Sequence, residues 1–406
     1  MPVQTRRRPT SSDPTEKPIR VESILGPNGG SGRTIKTGRR APRRKDPLWA
    51  RLTLIMGAVL MVSSGVAIVG SKAVINQATS SIEQDNLLGG AGKTEAEGGK
   101  DLKGPIDMLL LGVDVRGSWD PEDVRADTII VLHIPASHDQ AYLVSIPRDT
   151  EVQVPPLKRA NWSGGAAKIN SAFEIGARNG GSWAGGAQQM AATIKNLTGI
   201  SFDGAAIIDF GGFRKVIDAL GSVHLCVDQE VESYHMKLVD GKPMWNADAK
   251  KTGKPMKPVV HKVGCRDMEG WEALDYSRQR YGLKNGDYDR QQHQQQLIKA
   301  MAKKAMEDGA ATNPLKLNSL MKAAGETLVL DTGSANVPDF VFTLRGVAAN
   351  DMVMLRTNDG SFNSTTQGEE EREQLKPISL EMFKAVKEDR LAEFVAANPN
   401  VISNKK

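Results

Sequence analysis

The chain has 406 residues, 39% apolar and 25% charged, which describes a globular protein carrying some extra polar sequence. Its formal charge of +5 is uneven: residues 1–51 hold 13 Lys and Arg against 4 Asp and Glu, a balance of +9, so everything after them carries −4. Two cysteines without a Cys-x-x-Cys pair, and only six scattered histidines, argue against a zinc site.

In chain order, residues 1–51 read as a disordered basic tail, because Pro, Gly, Ser and Arg leave too little apolar surface to bury. From Leu52 to Gly70 run 19 residues without a charge, bounded by Arg51 and Lys72, about the length that crosses a bilayer. Residues 52–71 are therefore expected to form one transmembrane helix. A cleaved signal peptide would have an unusually long basic leader, and no convincing cleavage site follows. The basic flank precedes the span, so the positive-inside rule keeps the N-terminus cytoplasmic and places the rest outside the cell membrane. Residues 72–104, ending "LLGGAGKTEAEGGKDLKG", read as a stem or linker.

Residues 105–398 are expected to form one exterior domain. "IDMLLLGVD", "DTIIVLHI" and "AYLVSIPRDT" are apolar runs of strand length, the third stopped by Pro147. "AAKINSAFEIGARNGG" and "GGAQQMAATIKNLTG" read as helices, the second stopped by Gly199. "DGAAIIDF", "GGFRKVIDALGS" and "VHLCV" continue as strand, helix and strand, and such alternation predicts an α/β fold with helices on both faces of a sheet. Residues 229–265 read as an irregular excursion of turn formers and lysines. A long helix follows Asp289, then two or three more helices, including "NPLKLNSLMKAAGETLVLD" and "ISLEMFKAVKEDRLAEFV", with a strand near Met352–Leu355. Cys226 and Cys265 both fall in this exterior part, where an oxidising environment permits a disulfide; two buried free thiols are the alternative.

Charged residues gather where the strands end: Asp114 after "LLLGV", Arg125 and Asp127 before "TIIVLHI", Arg148 and Asp149 after "VSIP". In open sheets ligands collect at such ends. In "LDYSRQRYGLKNGDYDRQQHQQQL", Arg278 and Arg280 stand two apart, on one face if the segment is extended. Arg290 falls in the first turn of a helix, where a cation is disfavoured unless an anion sits there. A solvated ion-pair network is the alternative. Converging arginines without an aromatic cage fit phosphate or pyrophosphate. Carboxylates aimed at the same place need a hard cation between them and the anion, such as magnesium.

In order and spacing, "LLLGVD", "RADTIIVLHI", "LVSIPRDT", "KINSAFEIG", "LTGI", "FGGFRKVIDALGSV" and "ALDYSRQRYGLKNGDYDRQQHQQQ" resemble the LytR-CpsA-Psr family of bacterial envelope proteins, over roughly residues 105–305. The resemblance implies a three-layer α/β/α sandwich with a central mixed sheet that binds a polyprenyl pyrophosphate-linked glycan and transfers the glycan phosphate to peptidoglycan, attaching polymers such as teichoic acid. It implies Asp114 and Asp127 as magnesium ligands. Arg125, Arg148, Arg278, Arg280 and Arg290 would face the pyrophosphate, with Gln294 one turn after Arg290 on the same face. Lys168 and Asn170 match the pattern as further substrate contacts, and Asp149 is expected to orient Arg148. No general base is evident.

Two other functions compete with this one. A regulator touching nucleic acid would need more than this tail, which lacks a helix-turn-helix or interleaved aromatics and lies across the membrane from the arginines, so no nucleic-acid partner is expected. A polyprenyl pyrophosphate hydrolase would need only water in place of the acceptor hydroxyl.

Overall fold

The computed structural model describes residues 83–98, 102–115, 124–310, 313–333, 335, 352–365 and 371–403, all within one compact unit, Met61–Lys406. The expected tail and transmembrane helix lie outside the described residues. Among those described, no helix is long and apolar enough to cross a membrane.

A two-residue strand β1 (Glu83–Gln84) precedes β2 (Ile106–Val113), β3 (Ala126–Ile134) and β4 (Ala141–Ser145), followed by β5 (Glu151–Val154) and β6 (Gly165–Lys168), which pair with each other. Helices α1 (Ile169–Ala177) and α2 (Ser182–Thr198) lead to β7 (Gly204–Asp209), α3 (Phe210–Ala219) and β8 (Val223–Val227). Gly199 ends α2 as predicted: it lies in the left-handed region at φ 73° and donates its N–H to the Lys195 carbonyl, closing the helix with a residue that has no Cβ to clash. Next come β9 (Val231–Val239), β10 (Lys242–Trp245), α4 (Asn246–Lys251), β11 (Met256–His261) and β12 (Gly264–Met268). The chain continues with α5 (Gly270–Arg278), α6 (Asp287–Glu307), α7 (Pro314–Ala324), β13 (Leu328–Asp331), β14 (Met352–Leu355), α8 (Pro377–Lys387) and α9 (Leu391–Ala397).

Seven strands form one mixed sheet in the order β1-β13-β7-β2-β3-β4-β14. Alternation along the strands decides which face each residue serves. Leu109, Leu111, Val113, Ile129 and Val131 point to one side, where they pack with Phe173 of α1, Met190 of α2 and Phe383 of α8. Ile106, Met108, Ile130, Leu132 and Leu143 point to the other, against Ile298 of α6. Beside them, Ile217 of α3, Tyr276 of α5 and Leu297 of α6 form a further core with Val223 and Leu225 of β8. Burying a side chain of the size of Phe173 or Leu109 contributes about 1.5–3 kcal/mol. The sheet therefore carries helices on both faces.

Three expectations change. Residues 83–98 are not a free stem: β1 pairs in parallel with β13, Leu87 and Leu88 are buried in the core, and Lys93 Nζ lies 2.6 Å from Asp203 and 3.1 Å from Asp107. Their glycine-rich composition hid two leucines whose burial outweighs it. Residues 229–265 are ordered, as the three-stranded sheet β10-β9-β11 and the β8–β12 pair. The segment "GETLVLD" does not extend a helix; its Leu328–Asp331 stretch is inserted between β1 and β7. The strand expected near Met352 is β14, paired in parallel with β4.

Candidate functional site

Strands β2, β4 and β7 end, and the antiparallel β3 begins, on the same edge of the sheet. Asp114, Arg125, Asp127, Arg148 and Asp149 all come from this edge. Here the β2–β3 ladder slips: Gly112 pairs with Thr128 and Val113 with Ala126, leaving Asp127 as the extra residue. Such a bulge re-aims a side chain out of the ladder. The close approach depends on Gly112, because a Cβ there would lie 2.8 Å from Cβ of Thr128.

Arg148 donates to Asp127 Oδ1 at 3.0 Å from Nη1. Its Nε lies 3.5 Å from Asp149 and 3.6 Å from Asp287. Asp149 in turn takes Lys168 Nζ at 3.0 Å, so it holds Arg148 and Lys168 together. Arg290, in the first turn of α6, donates to Asp287 Oδ1 at 2.9 Å from Nε and to the Asp127 carbonyl at 2.9 Å from Nη2. The anion that this helix start demands is thus supplied in part by Asp287 of the same turn. Asn170 follows Lys168 at the start of α1, its N–H bonded to the Arg148 carbonyl and its side chain to the Asp127 carboxylate. The arrangement joins Asp127, Arg148, Asp149, Lys168, Asn170, Asp287 and Arg290 in one cluster.

Burial pushes the Asp127 carboxyl upward, but Arg148 and Arg290 beside it, with hydrogen bonds from Arg148 and Asn170, hold it below the usual range. Its side chain keeps about a fifth of its surface open to solvent. Two atoms of the cluster are left without hydrogen bonds although buried: the Nε of Arg148, a donor, and the Oδ1 of Asn170, an acceptor. Buried polar atoms without partners are uncommon and costly, and this pair suits a ligand offering both anionic oxygens and a cation or hydroxyl. Hard carboxylate oxygens from Asp114 and Asp127, at neighbouring strand ends, together with the Asn170 oxygen are the donor types that magnesium takes.

Arg278 and Arg280 do not share an extended face. Arg278 is the last residue of α5 and extended backbone begins only at Gln279, so the two arginines do not sit on one strand, and their guanidiniums take different partners. Arg278 reaches Asp114 Oδ2 at 3.4 Å and lies over the Phe210 ring at 3.9 Å and near the Trp245 ring at 5.2 Å. Arg280 instead covers its neighbour Tyr281 at 4.6 Å. Arg125 is turned away to Glu174 at 2.8 Å, which also pairs with Arg178. Gln294, one turn after Arg290, faces a recess that it lines with Thr128, Phe210, Phe213, Leu274, Ser277, Arg278, Leu297 and Ile298. Five apolar side chains make most of its wall, with Arg278, Gln294, Thr128 and Ser277 as its polar members.

Sequence reasoning missed Asp287 as a partner of two arginines; its spacing of three from Arg290 was the available signal. It also missed Glu373, which lies behind the cluster: its N–H donates to the Asp149 carbonyl at 3.1 Å and its carboxylate accepts from Tyr288 at 2.5 Å and from Asn358 at 3.2 Å. Cys226 and Cys265 are direct partners in the β8–β12 ladder and form the expected disulfide, with Cα atoms 3.9 Å apart.

The family model described as the LytR_cpsA_psr family matches residues 71–387. Cell wall biosynthesis protein LcpA of Corynebacterium glutamicum is 26% identical over 318 residues, 71% of this chain and 55% of that protein. A protein of Halalkalibacterium halodurans, TagU, named a polyisoprenyl-teichoic acid–peptidoglycan teichoic acid transferase, is 25% identical over 76% of this chain and 88% of its own. The matched region spans about half of LcpA and of the probable LcpB of the same Corynebacterium, 55% and 48%. The crystal structure of Bacillus subtilis TagV superposes with a TM-score of 0.51 at 21% identity, covering 71% of this chain and 98% of that one. Protein gbs0355 of Streptococcus agalactiae superposes at 0.55 with 19% identity, covering 74% and 91%. These two share the mixed α/β fold with its central mixed sheet. With the family matched across most of its length and the same sheet beneath the arginine cluster, the chain belongs to the LytR_cpsA_psr family.

Proposed function

We propose that the chain is a membrane-anchored phosphotransferase that moves a glycopolymer phosphate from a polyprenyl pyrophosphate carrier to peptidoglycan. One juxtaposition carries this reading: the charged rim of Arg278 and the Arg148–Arg290 cluster adjoins a recess walled by Phe210, Phe213, Leu274, Leu297 and Ile298. A ligand with an alkyl chain next to phosphates suits the chemistry of both parts, and since the recess holds only about 20 Å³, such a chain would enter by parting these side chains. TagU and TagV, two relatives, are named as polyisoprenyl-teichoic acid–peptidoglycan teichoic acid transferases. The basic tail ahead of an uncharged span and the disulfide support an exterior domain.

In this mechanism the pyrophosphate oxygens take up the Nε of Arg148 and compete with Asp127, Asp287 and Asp114 for the guanidiniums of Arg148, Arg290 and Arg278. The acceptor hydroxyl attacks the phosphorus that bears the glycan, forming a new P–O bond. The bond from that phosphorus to the bridging oxygen breaks, polyprenyl phosphate leaves with the electron pair, and the hydroxyl proton goes to water. Fixed arginines stabilise the charge that develops on the leaving phosphate without reorganising. Magnesium held by Asp114 and Asp127 would neutralise further pyrophosphate charge.

The test is transfer of a labelled sugar from polyprenyl pyrophosphate to a peptidoglycan acceptor by the full chain in membranes. Label bound to the acceptor supports the proposal. Label released only as free glycan phosphate would make the chain a hydrolase, and no turnover of any lipid pyrophosphate would remove the phosphotransfer reading.

A further inference from the structure

Among the described residues, four aromatic side chains stand among the exposed large hydrophobics: Tyr234, Trp245, Tyr281 and Phe362. Two of them, Tyr234 and Tyr281, lie together beside Arg280, and a third, Trp245, flanks Arg278. Tyr234 of β9 is 61% exposed and Tyr281 52% exposed, yet their ring centroids are only 4.9 Å apart, with planes inclined by 46°. The edge of His235 abuts Tyr234. Arg280 lies over Tyr281 and donates to its hydroxyl at 2.5 Å. Trp245, where β10 meets α4, is 38% exposed and flanks Arg278. The backbone supports the arrangement: Gln279, between the two arginines, accepts the Tyr234 N–H at 3.0 Å through its side-chain oxygen, and its amide donates to Asp275 at 3.0 Å.

We propose that Tyr234, Tyr281 and Trp245 form a sugar-binding platform that receives the glycan residues attached to the pyrophosphate. The inference rests on the function proposed above and assigns the part of the substrate that the arginines do not hold. Arg278 fixes the order along the ligand, because Phe210 of the apolar recess packs on its guanidinium and Trp245 flanks it. With the alkyl chain in the recess and phosphates at Arg278, the group beyond the phosphates arrives at the rings. A pyranose presents C–H bonds on its face, which pack on the negative face of an aromatic ring, and hydroxyls at its rim, which suit neighbouring polar groups. His235, Arg278, Arg280 and the two tyrosine hydroxyls supply that polar surround. A membrane-inserting patch would instead need an apolar surround, which these groups deny.

Binding to the full chain in detergent tests this with two soluble probes, inorganic pyrophosphate and a disaccharide linked to pyrophosphate. The wild type is expected to bind the disaccharide probe at least tenfold more tightly. Y234A is expected to lose most of that gain with pyrophosphate affinity within twofold, whereas Y281F, which keeps the ring, retains it. A gain unchanged in Y234A and W245A overturns the platform, as does a wild type with no gain. If inorganic pyrophosphate does not bind at all, the arginine reading fails separately. Saturation transfer from free disaccharide to the protein then tests the platform alone: a signal lost in Y234A upholds it, and no signal overturns it.

Discussion

Asp287 accepts a hydrogen bond from Arg290 Nε at 2.9 Å, three residues further along α6. The same oxygen lies 3.6 Å from Arg148 Nε, so one carboxylate steadies two arginines that come from distant parts of the chain. The ion-pair network and the proposed phosphate clamp therefore draw on the same residues, and substitution separates the two roles.

Arg290 is 4% exposed, and Lys in its place would keep the charge but not the fork that reaches Asp287 and the Asp127 carbonyl together. Losing buried hydrogen bonds of this kind costs on the order of 1–3 kcal/mol. R290K is expected to lower Tm and to cut transfer tenfold or more, about 1.4 kcal/mol of transition-state stabilisation. R280K, whose partner Tyr281 is exposed, should leave Tm unchanged while transfer falls. Melting curves and transfer rates check both, and parent-rate transfer by R148K, R280K and R290K together would falsify the clamp.

D114N and D127N test the metal. Either should abolish transfer, and chelator should do the same to the wild type. Their stabilities should differ: D127N removes the negative charge paired with Arg148, whose Nη1 lies 3.0 Å away, and should melt lower than D114N, where the Arg278 contact is longer at 3.4 Å. Full activity in chelator would make both carboxylates structural.

Glu373 sets a pH dependence. Burial drives its carboxyl from 4.5 up to about 7, against hydrogen bonds from Tyr288 and Asn358 and with added repulsion from Asp287. Between those two values the folded chain binds more protons than the unfolded one, so this group's contribution to stability falls as pH rises from about 4.5 to 7 and then levels off. The loss is on the order of 3 kcal/mol. Asp127 acts with the opposite sign: its depressed value gives stability that is present above 3.8 and lost as pH falls through the folded value. E373Q should flatten the limb between pH 4.5 and 7 in a series of denaturant unfolding curves. A variant with the parent's slope there would show that Glu373 does not titrate in that window.

Opening the Cys226–Cys265 bridge, which spans a sequence separation of 39, should cost on the order of 3–4 kcal/mol in the chain-entropy account. Non-reducing mass analysis of exported protein should find no alkylatable thiol, and reductant should lower Tm. Two free thiols in folded, exported chains would contradict this.

Much of the architecture was legible because local pattern and final structure agree: β2, β3 and β4 are apolar runs of strand length, and Gly199 closes its helix. β9 to β11 were not legible, since lysines and turn formers fill strands whose pairing depends on partners in the same excursion. β13 was not legible either, because four residues become a strand only by lying between β1 and β7. At the site, the residue types and their gathering at strand ends were visible in the sequence. The pairing of Arg125 with Glu174, the bulge at Asp127 and the packing of Arg278 on Phe210 were not, because each follows from a side chain or register contributed by another element.

The seven-strand sheet cannot be completed in the order in which the chain is made. β1 at Glu83 waits for Val329, the Leu87 and Leu88 N–H groups wait for the Asp331 carboxylate, and β4 at Ala141 waits for Met352. Every arginine of the candidate site precedes these late strands, so a chain emerging N-terminus first presents its arginine cluster on a sheet with two unfinished edges. Non-local pairing of this kind slows folding and leaves strand edges open to other chains. A chain truncated near residue 310 would hold the arginines and aspartates of the cluster and still lack Glu373 and the two strands that complete their sheet, and aggregation rather than mere inactivity is its expected fate.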